Sequence, residues 1–211
     1  MPCWGAPPVR WPSEAEARGP TMRRNVVDVD LENFHLLPKM CARAVFWEMN
    51  DVDADVDPAF EKEEWFSSTL LEWGPCGKLI VEDGEAVAFT EYAPAPLFPR
   101  LAHFPATGVS DDAAYLAYCF VEERRRSRGL GSELIREVAR DLVDRGYRAV
   151  ESVGDRRWGG DTWVLPVAFL AGNGFRVMHD DARYPLLRLD LHEVPERRMA
   201  QDATFVHLPT A

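Results

Sequence analysis

Apolar and polar residues alternate along Arg24–Leu31 (RNVVDVDL), the pattern of a strand with one buried face. At Asn33–Glu48 the period becomes that of a helix. Phe34, Leu37, Cys41 and Val45 recur on one side, Phe46 lies near them, and Pro38 marks a point of shortening or kinking. An acidic run, Asn50–Asp57, leads to a second helix that opens at Pro58, a favoured first-turn residue, and reaches Trp73. Lys78–Glu82 and Glu85–Ala93 flank Asp83-Gly84, a dipeptide that accepts the positive φ of a tight primed turn. A Pro-rich crossing then enters a buried strand at Ala114–Val121. Gly129–Arg145 carries Leu130, Leu134, Ile135, Val138, Leu142 and Val143 on the apolar side of a helix, and Gly146 supplies its left-handed end. Arg148–Val153 reads as a strand, Thr162–Gly172 as a helix, and Phe175–His179 and Tyr184–Leu191 as two closing strands. The order β-α-α-β-β-β-α-β-α-β-β predicts one mixed α/β domain.

Composition narrows the picture. Residues 1–21, rich in Pro, Gly and Ala, lack periodicity and read as a disordered extension; residues 22–195 form the domain and 196–211 a tail. No apolar run approaches the about 20 residues that span a bilayer, and the first residues lack the apolar core of a secretory signal. A cytoplasmic protein with no membrane partner is expected. With 24 Lys and Arg against 35 Asp and Glu, the net charge is −11, which disfavours nucleic acid as a partner. That charge suits a cationic substrate, although solubility alone explains it as well. Cys3, Cys41, Cys76 and Cys119 show no metal-ligand or disulfide spacing. The Asp spacing of Asn50–Asp57 lacks the central Gly and final Glu of a calcium loop, so it reads as a solvated loop.

The chemistry concentrates in Leu116–Arg136 (LAYCFVEERRRSRGLGSELIR). A buried strand runs into a charged turn, then Gly-Leu-Gly, then a helix. A helix N-terminus has free N–H donors and a partial positive charge, and glycines let phosphate oxygens approach the backbone. Arg124, Arg125, Arg126 and Arg128 reverse the local sign of an acidic chain, which points either to an anionic ligand or to a solvated cluster paired with Glu122, Glu123 and Glu133. A dinucleotide site would need GxGxxG, and a P-loop Gly-Lys-Ser/Thr; neither register is present.

Arg126-Ser127-Arg128-Gly129-Leu130-Gly131 resembles the Arg/Gln-x-x-Gly-x-Gly/Ala signature of the GNAT superfamily of N-acyltransferases, and it follows the strand ending in Val121 at the family's distance. Arg148–Val153 is similar to the family's next strand, and Phe169–Phe175 (FLAGNGF) to its helix with an x-Gly-Phe ending. The resemblance covers roughly Arg24 to Leu191. It implies a mixed, mostly antiparallel sheet flanked by helices on both faces. It also implies acetyl-CoA as co-substrate, held by the backbone of Arg126, Ser127, Arg128, Gly129, Leu130 and Gly131 with Ser132. Cys119, Phe120 and Val121 would border the pantetheine arm, and Phe120 and Val121 would pair with it as an added strand. A backbone N–H near Cys119–Val121 would polarise the acyl carbonyl. The expected partner is a small-molecule or peptide primary amine, acetylated by direct attack on the thioester; a homodimer stays open.

Three departures from the family pattern stand out, the first being that the Asn common early in the last helix is not evident and Trp163 stands in that region. The Tyr that the family places four residues before the Gly of x-Gly-Phe is Leu170 here, expected beside the thioester sulfur. Tyr115 occupies the early position in the fourth strand where some branches carry a Glu base. Tyr115 or Tyr184 is the candidate replacement phenol, and Glu91, with Tyr92 and Glu48 nearby, the candidate base. Alternatively the protein binds acyl-CoA without catalysis, as a sensor or partner subunit. The aromatic residues Phe46-Trp47, Trp65-Phe66 and Trp73 either line an acceptor pocket or form plain core.

Overall fold

The computed structural model describes residues 24–50, 55–106, 108–160 and 162–191. Its most local feature is a hairpin. Asp83 and Gly84 adopt φ of 51° and 88°, the left-handed pair a primed turn needs, and join β2 (Gly77–Glu82) to β3 (Glu85–Ala93). β1 (Arg24–Asp28) pairs antiparallel with β2 on one side, and β4 (Ala113–Val121) pairs antiparallel with β3 on the other. Beyond β4 lie β5 (Ala149–Asp155), β8 (Leu186–Asp190) and β7 (Arg176–His179). The sheet order is β1-β2-β3-β4-β5-β8-β7, and the short β6 (Leu165–Pro166) pairs with the end of β5. The β4–β5 and β5–β6 pairings are parallel and the rest antiparallel.

Helices cover both faces. α1 (Pro58–Glu72) starts where Asp57 accepts the Ala59 N–H at 3.1 Å and Pro58 takes the first turn. It lays Phe66 on a core with Trp47, Leu79, Phe89, Phe98 and Tyr115. α2 (Leu130–Asp144) lies on the opposite face, with Leu134, Ile135, Val138 and Leu142 buried. It ends as expected at Gly146, φ 82°, where Tyr147 N–H reaches Leu142 O and Gly146 N–H reaches Val143 O. Val143, assigned to the apolar side, is instead half exposed.

Two predicted helices are corrected. Asn33–Glu48 contains only short 3₁₀ turns, Phe34–Leu36 and Cys41–Arg43. Leu37 is forced to an extended conformation by Pro38, and the Asp30 carboxylate accepts the amides of Glu32 and Asn33, closing a local turn that competes with a helix. Leu37, Cys41 and Val45 are nonetheless buried, so the spacing predicted burial correctly. The helix placed at Thr162–Gly172 begins only at α3 (Val167–Gly172), because Leu165–Pro166 extends along Gly154–Asp155. The extension and tail expected at 1–21 and 196–211 lie outside the described residues.

Candidate active site

β4 and β5 pair only over Ala113–Tyr115 and Ala149–Glu151, then separate. At the apex Ser152 Oγ donates to Leu116 O at 2.8 Å, a side-chain bridge where the ladder has ended. β4 also bulges. Glu91 faces Tyr118 and Tyr92 faces Leu116, so Ala117 is an extra residue without an opposite number. The bulge inverts the alternation, and Tyr118 joins Tyr115 and Ala117 on the α1 face while Leu116 packs on the α2 face. A cavity of about 650 Å³ occupies the opening, within the size range of small-molecule sites.

One end of the cavity gathers helix N-terminal amides and two guanidinium groups. Ser127 and Gly129 both take left-handed φ, 60° and 78°. A non-glycine residue there carries backbone strain of the kind that collects at functional turns. The first helical bond of α2 runs from Glu133 N–H to Gly129 O, so the amides of Leu130, Gly131 and Ser132 have no acceptor inside the helix. Gly129, without a side chain, cannot cap them. These three residues line the cavity, as do Arg125 and Arg126. Arg125 is held at 2.8 Å by Glu82, a buried carboxylate that also binds Arg24, and Arg126 donates to Val121 O at 3.2 Å. Gly131 has a packing reason as well, since a Cβ there would stand 2.9 Å from the Phe169 ring.

The other end is aromatic. Tyr118 packs against Trp163 with ring centroids 5.1 Å apart, and Met40 and Trp158 also line the cavity. Trp163 is fixed from behind, where Trp47 Nε1 donates to its carbonyl at 3.0 Å.

The sequence profile of the acetyltransferase (GNAT) family matches residues 42–157, more than half of the chain. The chain belongs to that family. Solved GNAT structures share its fold at low identity. An N-acetyltransferase from Staphylococcus aureus Mu50 aligns over 80% of this chain and 99% of its own, with TM-score 0.55 and 13% identity. The ribosomal-protein-alanine N-acetyltransferase from Brucella melitensis gives 0.53 at 12% identity, over 79% of this chain and 99% of its own. YhbS from Escherichia coli, solved in complex with CoA, gives 0.50 at 17%, over 82% and 84%. No curated protein matches the chain by sequence.

On this GNAT scaffold the ligand residues expected from sequence fall together. Cys119, Phe120, Val121, Arg126, Ser127, Gly129, Leu130, Gly131 and Ser132 all line the cavity, and Arg128 alone of the set is turned to solvent outside it. The three catalytic candidates do not line it. Tyr115 sits where β4 and β5 are still paired, and its ring is fully buried against Trp47 and Phe98. Burial pushes its phenol well above the ordinary range. Tyr184 packs edge-on against Phe104 at 5.2 Å, away from the cavity wall.

Glu91 is fully buried in an ionic cluster with Lys62 and Glu48. Lys62 Nζ donates to Glu91 at 2.5 Å and to Glu48. Burial and then the neighbouring Glu48 charge raise Glu91 well above a normal carboxyl. Burial also works against ionised Glu48, but the Lys62 ammonium more than offsets it and lowers its pKa. Lys62 itself is raised, because the two carboxyls overcome its desolvation. The cluster therefore favours the acid form at Glu91 and the carboxylate at Glu48 beside the Lys62 ammonium. Glu91, fully enclosed and with its pKa raised, is not a solvent-facing base.

Leu170, expected at the thioester, is fully buried on the opposite core, against the space left by Gly154; its neighbour Phe169 lines the cavity instead. Trp47 and Phe66 are core; Tyr118, Trp158 and Trp163 line the cavity, and of these the sequence singled out only Trp163, as a departure from the family pattern.

Proposed function

We propose that this GNAT protein transfers an acetyl group from acetyl-CoA to a primary amine by direct attack on the thioester. The observation that carries the reading is the continuity of one cavity, from the uncapped α2 N-terminus with Arg125 and Arg126 to the gap between β4 and β5. A pyrophosphate accepts hydrogen bonds from the amides of Leu130, Gly131 and Ser132, aided by helix polarity and the two guanidinium groups. The pantetheine arm then follows Val121, Phe120 and Cys119 toward Tyr118, along a strand edge whose partner has turned away. This places the thioester at the aromatic end. A neutral amine attacks the carbonyl carbon, the C–S bond breaks, and the nitrogen proton must reach the departing thiolate. Tyr118 is the lining phenol able to supply it. Burial, then nearby Cys41, pushes its pKa up, so the phenol is protonated when the amine attacks; it acts as a relay, giving its proton to the thiolate as it takes the one the nitrogen loses.

Calorimetric titration with CoA tests the site, with Gly129→Asp as control. Saturable binding by the native protein is expected, with loss in the variant, which sets a carboxylate beside the pyrophosphate. No binding by the native protein at millimolar CoA refutes the reading. CoA binding without thiol release from acetyl-CoA, for any amine offered, would favour the sensor alternative.

A further inference from the structure

The aromatic end of the cavity constrains the acceptor. Met40, Trp158 and Trp163 line the same cavity as Tyr118, and Trp163 packs directly against the Tyr118 ring. Met40 and Trp158 are large apolar side chains left 52% and 43% exposed, an arrangement that an apolar ligand would relieve. Met adapts its shape to a ligand, and a fixed indole such as Trp163 offers a flat face. Among the described residues, the charged groups lining the cavity are Arg125 and Arg126, both cationic. A polycation gains no ion pair from them, whereas an amine on an apolar body buries that body and keeps a single nitrogen for the reaction.

Resting on the transferase reading above, we propose that the acceptor is a monoamine carried on an aromatic or alkyl body, with Met40, Trp158 and Trp163 as its binding wall. Each such contact removes apolar area from water at about 25 cal/mol per Å², and an aromatic face adds affinity for a ring.

The test uses the full chain saturated with acetyl-CoA for rates and with CoA for binding, and compares phenethylamine, spermidine and a lysine-containing peptide. Phenethylamine should show the highest kcat/KM and should bind the CoA-loaded protein in calorimetry. Met40→Ala and Trp158→Ala alter exposed side chains and should fold. Each should raise the KM for phenethylamine about tenfold, a loss of one aromatic or thioether contact, while the Kd for CoA stays unchanged. A preference for spermidine or the peptide overturns the proposal, as does indifference of phenethylamine to both substitutions. So does a preference for hexanoyl-CoA over acetyl-CoA that either substitution abolishes, because the wall would then serve the acyl chain. If phenethylamine binds in a Met40- and Trp158-dependent way but no thiol is released, the binding wall stands and the transferase reading fails.

Discussion

At the scale of single residues, two groups separate chemistry from structure. Tyr118 is part of the cavity wall, and its hydroxyl has a weak partner in Cys41 Sγ at 3.8 Å. Tyr118→Phe keeps the ring contact with Trp163, so it should leave CoA affinity and melting temperature near native. It should lower kcat by about 10²-fold, the smaller end of what a proton donor contributes. A full-rate Tyr118→Phe enzyme would remove the phenol from the mechanism. Glu91 belongs to the structural group. Its folded pKa is raised, so the stability it contributes is complete below the unfolded carboxyl value, about 4.3, and is lost as pH rises through the folded value. Glu91→Gln mimics the protonated acid and removes that loss. Urea unfolding across pH should therefore show the native protein declining toward alkaline pH more steeply than the variant. Lys62→Met strands the Glu48 charge in the core and should cost about 3–5 kcal/mol near neutral pH, less where Glu48 is protonated.

At the scale of elements, legibility tracked how local the determining signal is. The β2–β3 hairpin could be read because Asp83-Gly84 sets its own turn, and the α2 boundaries because Gly129 and Gly146 bracket an unbroken apolar stripe. The same locality made the glycine- and arginine-rich end of the cavity readable as a turn entering a helix. Asn33–Glu48 failed because apolar spacing reports which residues are buried, while Pro38 and the Asp30 side chain decide the backbone. The aromatic half was hidden for another reason. Tyr118 faces the cavity only because the Ala117 bulge inverts the pleat, and Trp158 and Trp163 come from an irregular segment without a period. One trace existed, since Tyr115 and Tyr118 in YLAYCFV reach one face at odd spacing, which alternation alone forbids. The separation of β4 from β5 is likewise a tertiary property, and Ser152 holds its apex. Ser152→Ala leaves Leu116 O without this buried donor and should lower stability by about 1–2 kcal/mol. In urea the midpoint should fall with an unchanged slope. CoA affinity should weaken in parallel, and a destabilised variant with native affinity would show that the apex does not shape the cavity.

At the scale of the whole molecule, the proposed function asks an acidic protein of net charge −11 to bind an anion through one local reversal of sign. Long-range attraction cannot help, because fields beyond about 10 Å are screened at 0.1 M salt and the overall charge is repulsive. Affinity then depends on contacts at the α2 N-terminus, and those contacts have a signature in exchange. The amides of Leu130, Gly131 and Ser132 lack helical acceptors, so in the free protein they should exchange quickly although they begin a well-packed helix. On the proposed reading, bound CoA supplies oxygen acceptors to these amides and closes the cavity to water. Hydrogen exchange should therefore slow sharply at Leu130–Ser132 on adding CoA. Amides in the β2–β3 ladder, already satisfied, should change only through the global stabilisation. That global term follows from mass action: CoA at one hundred times its Kd contributes about 2.7 kcal/mol, or about 5–10 °C in melting temperature for a chain of this size. The two readouts separate specific from diffuse binding. A melting shift without local protection at Leu130–Ser132 would mean that the anion sits elsewhere, on the exposed arginines, and the geometry of the α2 N-terminus would have to be explained by packing alone.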